Sequence, residues 1–153
     1  MRLALYQPDI PQNLGAAIRL AACLGVALDI IEPCGFPLDD RRIRRVSMDY
    51  WERARVVRHA SWESFRRDRE AGRLLLFTTA GTRRFPEVAF QPGDTLLFGR
   101  ESAGAPPEVQ AAADLAVRVP MAAGLRSLNV AQTAALVLGE ALRQTAGFDA
   151  LSD

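Results

Sequence analysis

Residues 117–132 read VRVPMAAGLRSLNVAQ, and the architecture of the chain turns on them. Leu115, Val117 and Val119 alternate with Ala116 and Arg118, the period-two pattern of a half-buried strand. Pro120 ends that strand, because proline has no N–H to give to a sheet ladder. Ala122, Ala123 and Gly124 then make a small-residue loop that lets backbone approach a ligand. Ser127 or Asn129 can cap the helix that follows, since either side chain accepts from free N–H groups of a first turn. A strand edge, a small-residue loop and a polar helix start together make a ligand cradle. An ordinary strand–turn–helix has the same pattern.

Outward from this segment, strands and helices alternate. RLALY (2–6) is a first strand, and QPDIPQN (7–13) a proline-punctuated loop. Asn13 is placed to cap the helix LGAAIRLAACL (14–24), and Gly25 to close it. Arg19 is the sole charge in that helix. It either leans back over Gly15 and Ala16 toward the helix start or faces solvent on an amphipathic surface. LDIIE (28–32) and RVVRH (55–59) are further strands. Asp39-Asp40 opens a short basic helix between them, and Ser61 caps a helix carrying Trp62 and Phe65 that Gly72 ends. The runs 74–78 and 95–98 (TLLF) are continuously apolar, as in strands buried on both faces. Phe85, Val88 and Phe90 can pin the loop between them, and Pro106 and Pro107 suit the first turn of a helix. The alternation predicts an α/β fold with a mostly parallel sheet and helices on both faces, in one domain over residues 1–153. The last helix, 129–144, is apolar nearly all round, with only Glu140 and Arg143 charged. Such a helix has to be buried. Burial against a second copy reconciles this with its terminal position, so a homodimer is expected.

Composition narrows the chemistry. At 153 residues with 49% hydrophobic content, the chain can bury a substantial core. Its apolar runs are too short to span a membrane, and the start MRLALYQPDIP lacks a secretory core, so cytosol is expected. Cys23 and Cys34 build no disulfide framework, and Cys23 reads as a small core hydrophobe. With His59 as the one histidine, no metal-ligand spacing exists and no nucleophile–base pair is marked. Any chemistry is therefore expected to use an organic cofactor or groups of the bound substrate. Every basic residue other than His59 is arginine, with no lysine, so arginine at one site says little. Clusters say more: Arg41, Arg42, Arg44 and Arg45 form one, and Arg66, Arg67 and Arg69 another. They are either solvated helix faces offset by nearby acids or a nucleic-acid footprint. In an open parallel sheet ligands bind beyond the carboxyl ends of the strands, where GRESAG (99–104) brings Gly99, Glu101, Ser102 and Gly104. Neither GxGxxG after the first strand nor GxxxxGK[ST] is present, which disfavours an ordinary dinucleotide fold and a P-loop.

The ordered set NLGAAIRLAACLG, LLFGRESAGAPPEV and VPMAAGLRSLNVAQTAALVLGEAL resembles the three motifs of the SPOUT-class RNA 2′-O-methyltransferases. LYQPDIPQN and IIEPCGFPLDDRRIRR are similar to the subfamily that methylates the wobble ribose, cytidine or uridine 34, of tRNA. The resemblance implies a C-terminal trefoil knot, S-adenosylmethionine bound in it, a dimer packed through the first and last helices, and the tRNA anticodon stem-loop as partner. It implies cofactor contacts at Phe77, Gly99, Val119, Met121 and Ser127, mostly through backbone. It assigns Arg19 to activation of the ribose hydroxyl, with Asn13 and Asn129 orienting Arg19 or the ribose and Glu101 supporting the loop. A guanidinium has no acceptor atom and is a poor base, so electrostatic activation fits Arg19 better. No metal is implied. Gly139 stands where relatives often carry a tyrosine-type residue, and GRESAG departs from the GPETRG of some relatives. Another tRNA or rRNA ribose, or a non-catalytic RNA-binding dimer, are the alternative readings.

Overall fold

The structure is a computed structural model that describes residues 1–39 and 41–151. Seven strands form one sheet: β1 (Arg2–Tyr6), β2 (Ala27–Ile31), β3 (Arg55–His59), β4 (Leu74–Phe77), β5 (Arg83–Arg84), β6 (Thr95–Phe98) and β7 (Leu115–Arg118). Their order is β3-β2-β1-β6-β4-β7-β5, and each neighbouring pair is parallel. The helices are α1 (Pro11–Cys23), α2 (Arg41–Ser47), α3 (Tyr50–Arg53), α4 (Trp62–Asp68), α5 (Pro107–Ala112) and α6 (Val130–Gln144). No helix among the described residues is long and apolar enough to cross a membrane.

Strand alternation sorts the core into two layers. Leu3, Leu5, Leu28, Ile30, Leu75, Phe77, Leu96, Phe98 and Val117 point to one face, where α1 and α6 cover them with Leu14, Ile18, Val137 and Leu138. Ala4, Tyr6, Ile31, Leu74, Leu76 and Leu97 point to the other, under Trp62 and Phe65 of α4 and Val109 of α5. Because β4 and β6 are covered on both sides, every residue in them is buried and both read as unbroken apolar runs.

Local signals account for most boundaries and miss some. Ser61 caps α4, accepting from Ser64 N–H at 3.2 Å while Ser64 Oγ accepts from Ser61 N–H at 3.0 Å. Gly25 at φ +64° closes α1 in a Schellman turn, with Val26 N–H bonding the Ala21 carbonyl and Gly25 N–H that of Ala22. Asn13 does not cap α1. The helix starts at Pro11, whose fixed φ suits a first helical position, and Ile10 is its N-cap. That leaves the Asn13 side chain, buried inside the first turn, free for other partners. Cys23 is exposed, because the last turn of α1 presents it away from the sheet. α4 ends at Asp68, ahead of Gly72. The two-residue β5, in a segment with no strand periodicity, exists only because it adds to the edge of β7. Asp40, half of the acidic pair expected to open α2, lies outside the described residues.

Candidate active site

The carboxyl ends of β4, β6 and β7 border a cleft of about 370 Å³ on the α1–α6 face. Phe77 and Phe98, the last residues of β4 and β6, make its floor, their rings stacked with centroids 5.1 Å apart and planes at 17°. Thr78 and Thr79 follow β4, Gly99 to Glu101 follow β6, and Val119 and Met121 follow β7. Leu128, Asn129, Val130 and Thr133 close the cleft from the start of α6. Volume and lining suit a small organic ligand: an apolar floor that accepts a flat ring, rimmed by four hydroxyls, Thr78, Thr79, Ser127 and Thr133, and by Glu101.

Gly99 is dictated by the chain itself. A Cβ there would come within 2.5 Å of the Gly104 carbonyl carbon, because residues 100–104 fold back in a tight turn bonded Arg100 to Gly104 in both directions. Gly104 needs its φ of +67°, though a Cβ on it would meet nothing. The glycines of GRESAG thus shape the loop that walls the cleft; Gly99 makes room for backbone, not for a ligand.

A one-way chain of hydrogen bonds runs along the cleft. Asn129 Oδ1 accepts from Ala131 N–H at 2.9 Å and Gln132 N–H at 3.3 Å, which caps α6. Its Nδ2 donates to Asn13 Oδ1 at 2.8 Å, and Asn13 Nδ2 donates to Glu101 Oε1 at 3.0 Å. A carboxylate only accepts, so the direction of every amide in the chain is fixed from the Glu101 end. Glu101 Oε2 accepts from Asp9 N–H at 3.0 Å, and the Asp9 carboxylate accepts in return from the N–H groups of Glu101 at 3.1 Å and Ser102 at 3.3 Å. Ser102 Oγ also donates to Asp9. Burial pushes the Glu101 carboxyl above its ordinary range and the facing Asp9 side chain adds to this, while the bonds from the Asp9 N–H and the Asn13 amide oppose it. The facing Glu101 side chain is the largest cause holding the Asp9 carboxyl below its ordinary range.

Phe77, Gly99, Val119, Met121, Ser127, Asn13, Glu101 and Asn129 all border the cleft. Of the two expected caps for α6, Asn129 serves. Arg19 stands apart, exposed on α1. It does not lie back over Gly15, because α2 occupies that ground: a Cβ on Gly15 would be 2.9 Å from the Ile43 carbonyl oxygen. Its guanidinium rests 5.2 Å from the Tyr50 ring centroid, with Nη1 3.6 Å from Met48 Sδ. Sequence reading missed Asp9, Phe98 and the Thr78-Thr79 pair. Their one signal was position, directly after or at the end of a strand or in the loop facing GRESAG. Among the described residues, no group of three or more His, Cys, Asp or Glu side chains could hold a metal ion.

With this geometry, the model of the SpoU rRNA methylase family matches residues 1–139. The chain belongs to the SpoU rRNA methylase family. This SpoU-family chain is similar to a relative from Beijerinckia indica subsp. indica named tRNA (cytidine(34)-2′-O)-methyltransferase. The two are 52% identical over 153 residues, covering 99% of this chain and 96% of the relative. It is also similar to a solved structure concerned with 2-OH methylation of C/U34 on tRNA, with a TM-score of 0.91 at 39% identity over 95% of this chain and 96% of the other. The SpoU methyltransferase AviRb from Streptomyces viridochromogenes, solved with the cofactor AdoMet, gives a TM-score of 0.82 at 28% identity and covers 94% of this chain and 60% of that one.

Proposed function

We propose that this SpoU-family chain transfers the methyl group of S-adenosylmethionine to the ribose 2′-hydroxyl of nucleotide 34 of tRNA, a cytidine or a modified uridine. The observation that carries this reading is the 52% identity, over nearly both full lengths, to a relative named for that reaction. The cofactor supplies an activated methyl carbon when bound. Phe77, Val119 and Met121 would hold it through backbone and apolar contact, Ser127 through its hydroxyl, and Gly99 by shaping the wall. The Asp9–Glu101–Asn13–Asn129 chain keeps the loops after β1 and β6 and the start of α6 in one geometry, so the hydroxyl meets a preformed site. Arg19, a guanidinium outside the cleft, serves the RNA side, its N–H groups stabilising the negative charge that develops on the ribose oxygen as that hydroxyl gives up its proton to solvent or an RNA phosphate.

Three finer points belong to the same reading. The protein acts as a cytoplasmic homodimer through α1 and α6, supported by Ile10, Leu128 and Leu136, which stay 41%, 44% and 45% exposed in the single chain. Its RNA partner is the anticodon stem-loop. The segment 78–129 forms a trefoil knot, supported by the wrap of residues 78–84 onto β7, where a Cβ on Gly81 would sit 2.4 Å from the Val117 carbonyl carbon. The test is methyl transfer from labelled cofactor into total tRNA, with nucleoside mapping. Label in a 2′-O-methylated nucleoside at position 34 is expected; label elsewhere, or none, refutes the assignment. A monomer by light scattering at micromolar concentration removes the dimer.

A further inference from the structure

Away from the cleft, one unit of the fold is built around Arg19. α2 crosses α1 at Gly15, where a Cβ would come within 2.9 Å of both the Ile43 carbonyl oxygen and Val46 Cβ. α2 is therefore seated against α1 at a distance only glycine permits. The chain leaves α2 through Met48 at φ +52°, a left-handed conformation that residues other than glycine rarely hold. That single residue reverses the chain so that Tyr50, the first residue of α3, lies beside α1. The half-buried Tyr50 ring takes the Arg19 guanidinium carbon at 5.2 Å from its centroid, inside the range of cation–π attraction. Met48 Sδ lies 3.6 Å from Nη1, and a thioether is a weak acceptor. Arg19 has no hydrogen bond to an oxygen among the described residues. A guanidinium held by a ring and a thioether keeps most of its N–H donors unspent. The same unit exposes Arg41, Arg44, Arg45 and Arg53 to solvent.

We infer that Tyr50 is a positioning residue for Arg19. Its ring, with Met48 alongside, holds the guanidinium and leaves the N–H groups free for a ribose or phosphate oxygen of the RNA. This rests on the role given to Arg19 above. A free arginine side chain samples many rotamers, and ordering it at the moment of reaction costs rate. The Gly15 contact and the Met48 turn instead set the platform when the chain folds.

The test is steady-state methylation of tRNA at saturating cofactor, with cofactor affinity by calorimetry and thermal unfolding measured alongside. Tyr50→Leu is expected to lower kcat by about tenfold or more, with cofactor Kd and melting unchanged, because only the transition-state geometry is lost. Tyr50→Phe keeps the ring and is expected within about twofold of the wild-type rate. Wild-type kcat in Tyr50→Leu overturns the assignment, as does Tyr50→Phe being as slow as Tyr50→Leu. If Tyr50→Leu does not fold, Tyr50→Gln, polar and of similar length, replaces it with the same expected loss. Arg19→Ala separates the two readings. Its inactivity beside a fully active Tyr50→Leu refutes the platform alone, whereas normal turnover by Arg19→Ala refutes the role of Arg19 itself.

Discussion

Two polar networks are built on the same sheet, and they are used differently. The first is closed. Asp29 of β2, 1% exposed, accepts from Arg2 Nε at 2.8 Å and Nη2 at 3.0 Å, and pairs with His59 Nε2 at 2.8 Å. Arg2 Nη1 continues to Glu70 at 2.7 Å, and the His59 ring packs edge-on against Phe65 with centroids 5.2 Å apart. The second, from Asp9 through Glu101 and Asn13 to Asn129, borders the cleft for most of its length. The carboxylates at the centre of each, Asp29 in the first and Asp9 and Glu101 in the second, have both oxygens occupied, so hydrogen-bond satisfaction does not tell them apart. The cavity does. A network whose centre, Asp29 and His59, is buried and borders no part of the cleft holds the fold, whereas one along a cleft also sets where a ligand's atoms lie.

The largest effect should come from breaking the closed network. Asp29→Ala leaves the Arg2 guanidinium and the buried His59 without their shared partner and is expected to cost about 3–5 kcal/mol. Chemical denaturation reads this as a shifted midpoint with unchanged slope. While the variant stays folded, its cofactor affinity should match the wild type. A cofactor Kd that weakens in the folded variant would erase the distinction between the two networks.

Asn129→Ala should do the reverse. Loss of the α6 cap is expected to cost about 1 kcal/mol, because the freed N–H groups sit at the surface where water can replace Asn129. Asn13 Oδ1 loses its donor at the same time, and the start of α6 is no longer tied to the Glu101 loop. Cofactor affinity by calorimetry should therefore weaken by about tenfold, or about 1.4 kcal/mol, more than the loss in stability. An unchanged Kd would make the second network as purely structural as the first.

A smaller effect lies in the pH dependence of the second network. The Glu101 carboxyl is raised in the fold, so its protonated form stabilises the protein below the ordinary value near ~4.3. That contribution is lost as pH rises through the raised value. Asp9 is lowered, so its contribution is present above about 3.9 and lost as pH falls through the folded value. Glu101→Gln removes the first titration and, by taking away the largest cause of the Asp9 shift, moves the second back toward its ordinary value. Relative to wild type, the variant should gain stability as pH rises from about 4.3 through the raised value. Parallel stability profiles for the two proteins across that range would sink the coupling.

The closed network was invisible in the sequence, and the cleft network only half visible, for physical reasons. β4 and β6 could be read because burial on both faces demands unbroken apolar runs. Asp29 sits mid-strand between Leu28 and Ile30, and nothing in LDIIE says its carboxylate is buried, because its partners come from β1 and β3. The loops that line the cleft could be located because an open parallel sheet holds ligands at its strand ends, whereas Phe77, Val119, Met121 and Ser127 were named only through the resemblance of the motifs. Asn13 was misjudged as a cap because Asn at a helix start fits that role locally. Its actual use, joining Glu101 to Asn129, depends on residues 88 and 116 positions away. The sheet order, with β4 between β6 and β7, likewise rests on pairings that hydropathy does not encode.

The cysteines give the finest probe of the second network. Burial pushes the Cys34 thiol up to about 11, with Glu32 and Glu101 adding to the rise and Arg58 opposing it. A thiol near 11 holds roughly one part in a thousand of thiolate at pH 8, and the thiolate is the nucleophile. Cys23 is exposed on the last turn of α1, so iodoacetamide at pH 8 should alkylate Cys23 well before Cys34. Glu101→Gln removes one of the charges that raise Cys34, and the slow Cys34 reaction should quicken by a factor of about two. Asp29→Ala, in the closed network, has no such charge link and should leave that rate unchanged below its unfolding transition. Mass spectrometry of time-resolved labelling reads all three rates. Equal alkylation of both cysteines in the wild type would show that the Cys34 side of the Glu101 loop is open to solvent.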